Sequence, residues 1–290
     1  MDSINKIGIT TNSLHGAPYL NKLKHIKRTG FNNIMLDHYH NLENEIIAAQ
    51  NIGLEVESVH IDSRNVNCMW QNKNSASMFI KKLSDEFTVL KRNGVKTAII
   101  HPGQNNHDFS NSAKQPTALA LTNWLELIEQ AEKHGILVAM ENTDLIHLPH
   151  LFVILDNIKS ANLKFCYDSG HHQLFYPNLD IIKRYQNILH AVHLHDNNLE
   201  YPQKTGWSGD LHMVPFDGKI NFTKIAEQIA NSKYSGSTML ETSHTTSQAY
   251  NNLSPYAYLE HAYQAGKKLS QLIITKRENL CIHTQEGKEQ

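Results

Sequence analysis

Cysteine is scarce in this 290-residue chain. Cys68, Cys166 and Cys281 are the only three, and they form neither a C-x-x-C pair nor an even set. That excludes a disulfide framework and a thiolate zinc knuckle. The three are expected to be reduced thiols of a cytoplasmic protein. No sign of charge dominates: 27 basic and 28 acidic residues leave a net charge of -1, with a pI near 7.0. No global field therefore draws the chain to nucleic acid or to an anionic membrane. No apolar run approaches the roughly 18 residues that span a bilayer, so no membrane partner is expected. The opening segment MDSINKIGITTNS has no apolar stretch before the first strand, and no secretory signal is expected in it. Low-complexity linkers are missing too. A single domain is expected over residues 1–275, followed by a polar tail over 276–290 that frays.

Histidine, by contrast, is plentiful, with 19 residues. The informative ones end apolar runs. VESVH ends at His60, TAIIH at His101, LVAME at Glu141, LKFCYD at Asp168, HAVH at His193, TMLE at Glu241 and NIMLD at Asp37. Strands are expected over Lys6–Asn12, Asn33–Asp37, Glu55–His60, Thr97–His101, Leu137–Glu141, Lys164–Asp168, Ala191–His195 and Ser237–Glu241. Amphipathic helices are expected between them. Ala17–Thr29 places Leu20, Leu23 and Ile26 on one face. Leu42–Asn51, Ser75–Asn93 and Leu119–His134 show similar spacing. Four helices stop at a glycine followed by an apolar residue: Gly30-Phe31, Gly53-Leu54, Gly94-Val95 and Gly135-Ile136. One αβ turn repeated four times, with strands and helices alternating, predicts an α/β fold, a single closed (β/α)8 barrel.

A parallel barrel brings every strand's C-terminal end to one face, so distant residues meet there. A lone histidine ending a strand is more often a hydrogen-bonded structural group than a ligand. The force of this case lies in joint occurrence. With 28 acidic residues and 19 histidines, such groups are about one residue in six. Yet each of the last six expected strands ends in one, or within two residues of one. Buried carboxylates and imidazoles are costly unless paired or metal-bound.

Asp168-Ser-Gly-His171 turns through glycine, which can return His171 to the same pocket. His193 and His195 share a strand face by period two; the sequence alone does not choose which ligates. Asp210-Leu-His212 lies in a loop, as a ligand pair or an Asx-type turn. Asp37 ends its strand as a site residue or as a cap for the next helix. Arg64, Lys73 and Lys204 are loop charges that either meet a phosphate or stay solvated. Trp70 and Trp207 either stack on a sugar ring or pin their loops. Cys166 is expected to pack inward. Gly218-Lys219 has no phosphate-loop context. His25, His134, His150 and His261 are expected at the surface or as caps.

From ITTNS to LETSH the chain resembles the xylose isomerase-like TIM barrels, the superfamily of sugar-phosphate isomerases and epimerases and of the AP endonuclease family 2 enzymes. The stretches that carry the resemblance are VHI, IIHPG, MENT, YDSGH, HLHDN, GDLHMVPFDGKINF and LETS. In the endonuclease branch nine residues hold three zinc ions. The resemblance places them on His60, His101, Glu141, Asp168, His171, His193, Asp210, His212 and Glu241. In the epimerase branch one divalent metal is held by four groups, here Glu141, Asp168, His193 and Glu241, and the two glutamates shuttle the proton. The endonucleases carry a Tyr-Leu segment used to enter DNA. Here it reads His60-Ile-Asp-Ser-Arg-Asn, and nucleic acid is not expected as a partner.

The function so implied is a metal-dependent isomerase or epimerase of a small sugar or sugar phosphate. Glu141 and Glu241 are its catalytic pair, working through a metal-stabilised enediolate. His171 orients substrate hydroxyls, and His195, Asn142, Lys204 and Trp207 contact substrate. The alternative is a multi-zinc phosphoesterase, which nine ligands favour. A barrel that binds a metabolite without catalysis is the third reading. One to three ions of zinc, manganese, iron or cobalt suit such a thiolate-free site.

Overall fold

A computed structural model describes residues 6–71, 73–104, 118–199 and 209–286. All eight expected strands are present: β1 (Ile7–Thr10), β2 (Asn33–Leu36), β3 (Glu55–His60), β4 (Thr97–Ile100), β5 (Leu137–Glu141), β6 (Leu163–Asp168), β7 (Leu189–His193) and β8 (Thr238–Leu240). They pair in parallel in the order β7-β6-β5-β4-β3-β2-β1-β8. Leu194 bridges to Leu240, and Leu194 N–H donates to Met239 O at 3.0 Å. Those contacts bring the two edges together, and the chain is a single (β/α)8 TIM barrel.

The strands are short and mostly apolar because helices cover one face and packed side chains the other. Ile9, Ile34, Ile99, Val138 and Phe165 are wholly buried. The repeated glycine turn forms as expected: Gly30, Gly53, Gly94 and Gly135 all have positive φ, between 69° and 113°. At Gly30 the N–H closes the helix Tyr19–Thr29 onto Lys27 O, and a side chain there would crowd Tyr263. Glycine reaches that left-handed geometry without steric cost.

Three expectations change. Leu20 is 55% exposed, off the buried face that Leu23 and Ile26 form. His150 is buried at 0% exposure in the helix Leu148–Asn157, its ring edge against Trp70 at 4.5 Å. The last helix, Pro255–Glu286, runs unbroken through residue 275, where the sequence reading ends the domain. It packs on the barrel through Lys276–Glu227 at 3.2 Å and through Arg277, which donates to Tyr234 O. Among the described residues no helix is long and apolar enough to cross a membrane.

Candidate metal centre

His60, Glu141, Asp168 and His193 are the last residues of β3, β5, β6 and β7. Asp37, His101 and Glu241 follow β2, β4 and β8 by one residue. The barrel mouth collects them all. Asp168 then caps the helix Ser169–Phe175, accepting from His171 N–H at 2.7 Å. That turn returns His171 over the strand ends. Its Nδ1 lies 3.0 Å from Asn142 O and its Nε2 3.2 Å from Asp210 Oδ2.

Asp210 and His212 arrive on a loop, and Asp196 anchors that loop. The buried Asp196 carboxylate accepts four backbone N–H groups, from Asn197, Phe216, Gly218 and Ile220, at 2.8–3.0 Å. Asn197 donates to Asp210 Oδ1 at 3.2 Å and accepts from Leu211 N–H at 2.6 Å. His212 sits at φ 43°, a conformation unusual for a residue with a side chain. Its Nδ1 donates to Glu241 O at 2.7 Å, leaving Nε2 3.0 Å from Asp210 Oδ2.

Among the described residues five overlapping sets of donor atoms each lie within 4.8 Å, and three of them together hold all nine residues. His60, His101 and Glu141 form the first. Glu141, Asp168, His193 and Glu241 form the middle one. His171, Asp210 and His212 form the outer one, with His195 behind them. All nine residues named by the family resemblance are brought together.

The spacing fits divalent cations. Donors about 2.1 Å from one ion stand about 3.0–3.5 Å apart. His60 Nε2 is 3.1 Å from both His101 Nε2 and Glu141 Oε2. His193 Nδ1 is 3.1 Å from Glu141 Oε2 and 3.4 Å from Glu241 Oε2. Yet His193 Nδ1 and Glu241 Oε2 are buried without hydrogen-bond partners. They meet each other as an ion pair without hydrogen-bond geometry, and a shared cation would satisfy both.

Charges follow the same geometry. Burial pushes Glu141 and Asp210 toward neutrality, but neighbouring imidazoles override it. His193 and His101 hold Glu141 well below the usual carboxylate range, and His212 and His171 do the same for Asp210. Glu241 is lowered by His193 against the same burial. In return, and again against burial, Glu141 lifts His60 to about 9 and Asp210 lifts His212 to about 10. Burial prevails only at His101, which is lowered. Without metal these directions favour the charged forms of His60, His212, Glu141, Asp210 and Glu241. A cation would replace the protons of those imidazoles.

A cavity of about 650 Å³ opens above the groups, walled by Asn12, His15, Asp37, His38 and Asp62 among others. Thr11 Oγ1 pins Asp37, donating to its carbonyl and accepting from its N–H at 3.1 and 3.0 Å. Asp37 does not cap the next helix; Asn41 does. Arg64 also lines this wall, in a forked pair with Asp62.

Two residues expected to touch substrate lie beneath the wall instead. Asn142 is fully buried and ties Asp168 in place, donating to its carbonyl at 2.9 Å and accepting from its N–H at 2.8 Å. His195 is fully buried behind Asp168. Neither is among the residues that line the cavity. Lys204 and Trp207 lie outside the described residues. Trp70 is buried and donates to Pro102 O, so it pins the segment after His101. Cys166 packs inward as expected, its thiol pushed up to about 12 by burial. Sequence reasoning missed Asp196 and Asn197 as anchors. Their only signal was their place in HLHDN.

Comparison with known proteins agrees with the fold. The family described as xylose isomerase-like TIM barrel matches residues 23–266. An uncharacterised protein of Methanocaldococcus jannaschii, MJ1311, is 26% identical over 197 residues, 64% of each chain. Protein y4fM of Sinorhizobium fredii, also uncharacterised, is 32% identical over 114 residues, 39% of this chain and 33% of that one. The chain thus spans less than two thirds of either relative. Among solved structures, a D-tagatose 3-epimerase-like protein superposes with a TM-score of 0.73 at 19% identity, covering 95% of this chain and 99% of that one. The IOLI protein with a bound zinc atom gives 0.72 at 15% identity, covering 94% and 99%.

Proposed function

The chain belongs to the xylose isomerase-like TIM barrel family, and from that premise we propose that it is a divalent-metal-dependent isomerase or epimerase of a small sugar or sugar phosphate. One observation carries the reading. Glu141 and Glu241, three strands apart around the barrel, both line the cavity and both approach a single buried atom, His193 Nδ1.

Glu141, Asp168, His193 and Glu241 would hold the metal. When bound, it would polarise the substrate carbonyl and stabilise negative charge on its oxygen. The residues supply the rest. In the metal-free protein neighbouring imidazoles hold both glutamates below the usual carboxylate range, and an ionised glutamate suits a base. One glutamate takes the proton from the carbon beside the carbonyl, and the C–H electron pair moves toward the carbonyl oxygen. The other enters the cycle protonated and gives its proton to carbon from the opposite side, so the two glutamates exchange protonation states in each turnover. His171, on the cavity wall, orients substrate hydroxyls. The test is a panel of ketoses and their phosphates incubated with metal-loaded protein. Interconversion that disappears in Glu141→Gln and Glu241→Gln supports the reading. Full activity in both variants overturns it.

The two additional donor groups favour a second reading, a multi-metal phosphoesterase, since clustered cations suit in-line attack on phosphate. Phosphodiester hydrolysis lost in Asp210→Ala, with no ketose interconversion by the wild type, would select it.

A further inference from the structure

His195 stands between two of the donor groups: its Nδ1 faces the outer one, 3.8 Å from Asp210 Oδ1, while its other contacts are those of a support. Its Nε2 lies 3.1 and 3.0 Å from the two oxygens of Asp168. An ionised carboxylate only accepts, so Nε2–H is the donor. The ring itself lies flat against His212, with centroids 4.0 Å apart and planes 11° from parallel. An imidazole binds a cation along a lone pair in its own plane. Stacked rings have parallel lone pairs that do not converge, so this arrangement does not let His195 and His212 share an ion. His195 is also fixed from behind. Its N–H donates to Ser169 Oγ at 2.9 Å, and its carbonyl accepts from the same hydroxyl at 2.8 Å. The backbone of Gly170 passes so close that a Cβ there would meet the ring at 2.0 Å. The glycine of D-S-G-H is thus required by the close approach of the His195 ring.

We propose that His195 is a positioning residue coupling the middle and outer groups: its Nε2–H aligns the Asp168 carboxylate, and its ring face holds His212 toward Asp210 and His171. The proposal rests on the reading of these groups as metal sites. It separates the two contacts chemically. Hydrogen bonds to a ligating carboxylate orient it for its ion, and losing such a partner costs about 10–100-fold in metal affinity.

Zinc titration of the metal-free full-length chain tests this, with circular dichroism checking the fold. His195→Gln keeps an N–H within reach of Asp168 but removes the flat ring under His212. It is expected to weaken one zinc about 10–100-fold and to add nothing to the effect of His212→Ala. His195→Phe keeps a flat ring and loses the N–H. It is expected to weaken a different zinc and to add nothing to Asp168→Asn. If the phenylalanine variant does not fold, the glutamine variant decides alone, since it must spare the middle group. Weakening of the same zinc by both variants, or of none, overturns the proposal while leaving the metal reading intact. A wild type that binds a single zinc also overturns the coupling. A wild type that binds none overturns the metal reading itself.

Discussion

The barrel holds a half-buried carboxylate at its floor and buried ones at its mouth, and treats them differently. At the floor, Glu57 of β3 accepts from Asn33 Nδ2 at 2.6 Å, from Ser237 N–H at 3.0 Å and from the Ser237 hydroxyl. Both its oxygens are satisfied within the fold. At the mouth, Glu141 and Glu241 face imidazoles, and both His193 Nδ1 and Glu241 Oε2 are left without hydrogen-bond partners. A carboxylate that closes its own network is structural. A set whose atoms converge at ligand spacing but leave hydrogen bonds unmade is arranged for something added. What separates Glu57 from Glu241 is whether the carboxylate's own oxygens find hydrogen-bond partners.

The largest expected effect is at the mouth. Glu141→Gln removes the carboxylate shared by the first and middle groups. Turnover is expected to fall about 10²–10⁴-fold, with at least one metal lost and the fold retained by circular dichroism. An active, fully metallated variant would break the contrast.

Asp196→Ala comes next. Losing the acceptor for four backbone N–H groups is expected to cost about 2–3 kcal/mol of stability. Elemental analysis should show the outer metal lost and the others kept, because Asp196 touches only the loop that carries Asp210 and His212.

Chelation sharpens the comparison directly. Metal at about 100 times its Kd should stabilise the wild type by about 2.7 kcal/mol, read as a rise in Tm. Glu57→Gln should lower Tm by the same amount with or without metal, its cost of about 1–3 kcal/mol belonging to the floor alone. A metal-dependent Glu57→Gln effect would mean the two ends are coupled.

The smallest effect is in pH. In the metal-free protein His60 is raised from 6.5 to about 9 and His212 from 6.5 to about 10. Raised imidazole values stabilise the fold fully below about 6.5, and that share is lost as pH rises through 9 to 10. Metal binding runs the other way, since ligands must shed protons, so affinity should climb over the same range. Calorimetry at pH 7 in buffers of different ionisation enthalpy should detect proton release on zinc binding.

The strands and their ligand ends were legible because each parallel strand is a short apolar run, and closure fixes where the runs end. His171 was legible from its spacing in Asp168-Ser-Gly-His171, although a helix capped by Asp168, not a glycine turn, returns it to the site. The depth of Asn142 and His195 was not. Residues one or two positions from a ligand lie either in the cavity wall or in the packed layer beneath it, and strand twist and register decide which. The register shift between Phe165 and Cys166 where β6 meets β7 is one such detail. Asp196 was hidden for another reason: its partners are backbone N–H groups from residues 197 to 220, and backbone donors carry no residue signature.

Elemental analysis of the purified protein, saturated with zinc or manganese and then desalted, tests the central claim most directly. The account predicts at least one tightly held divalent ion per folded chain, lost in Glu141→Gln and kept in Glu57→Gln. A folded wild type that retains none would contradict it.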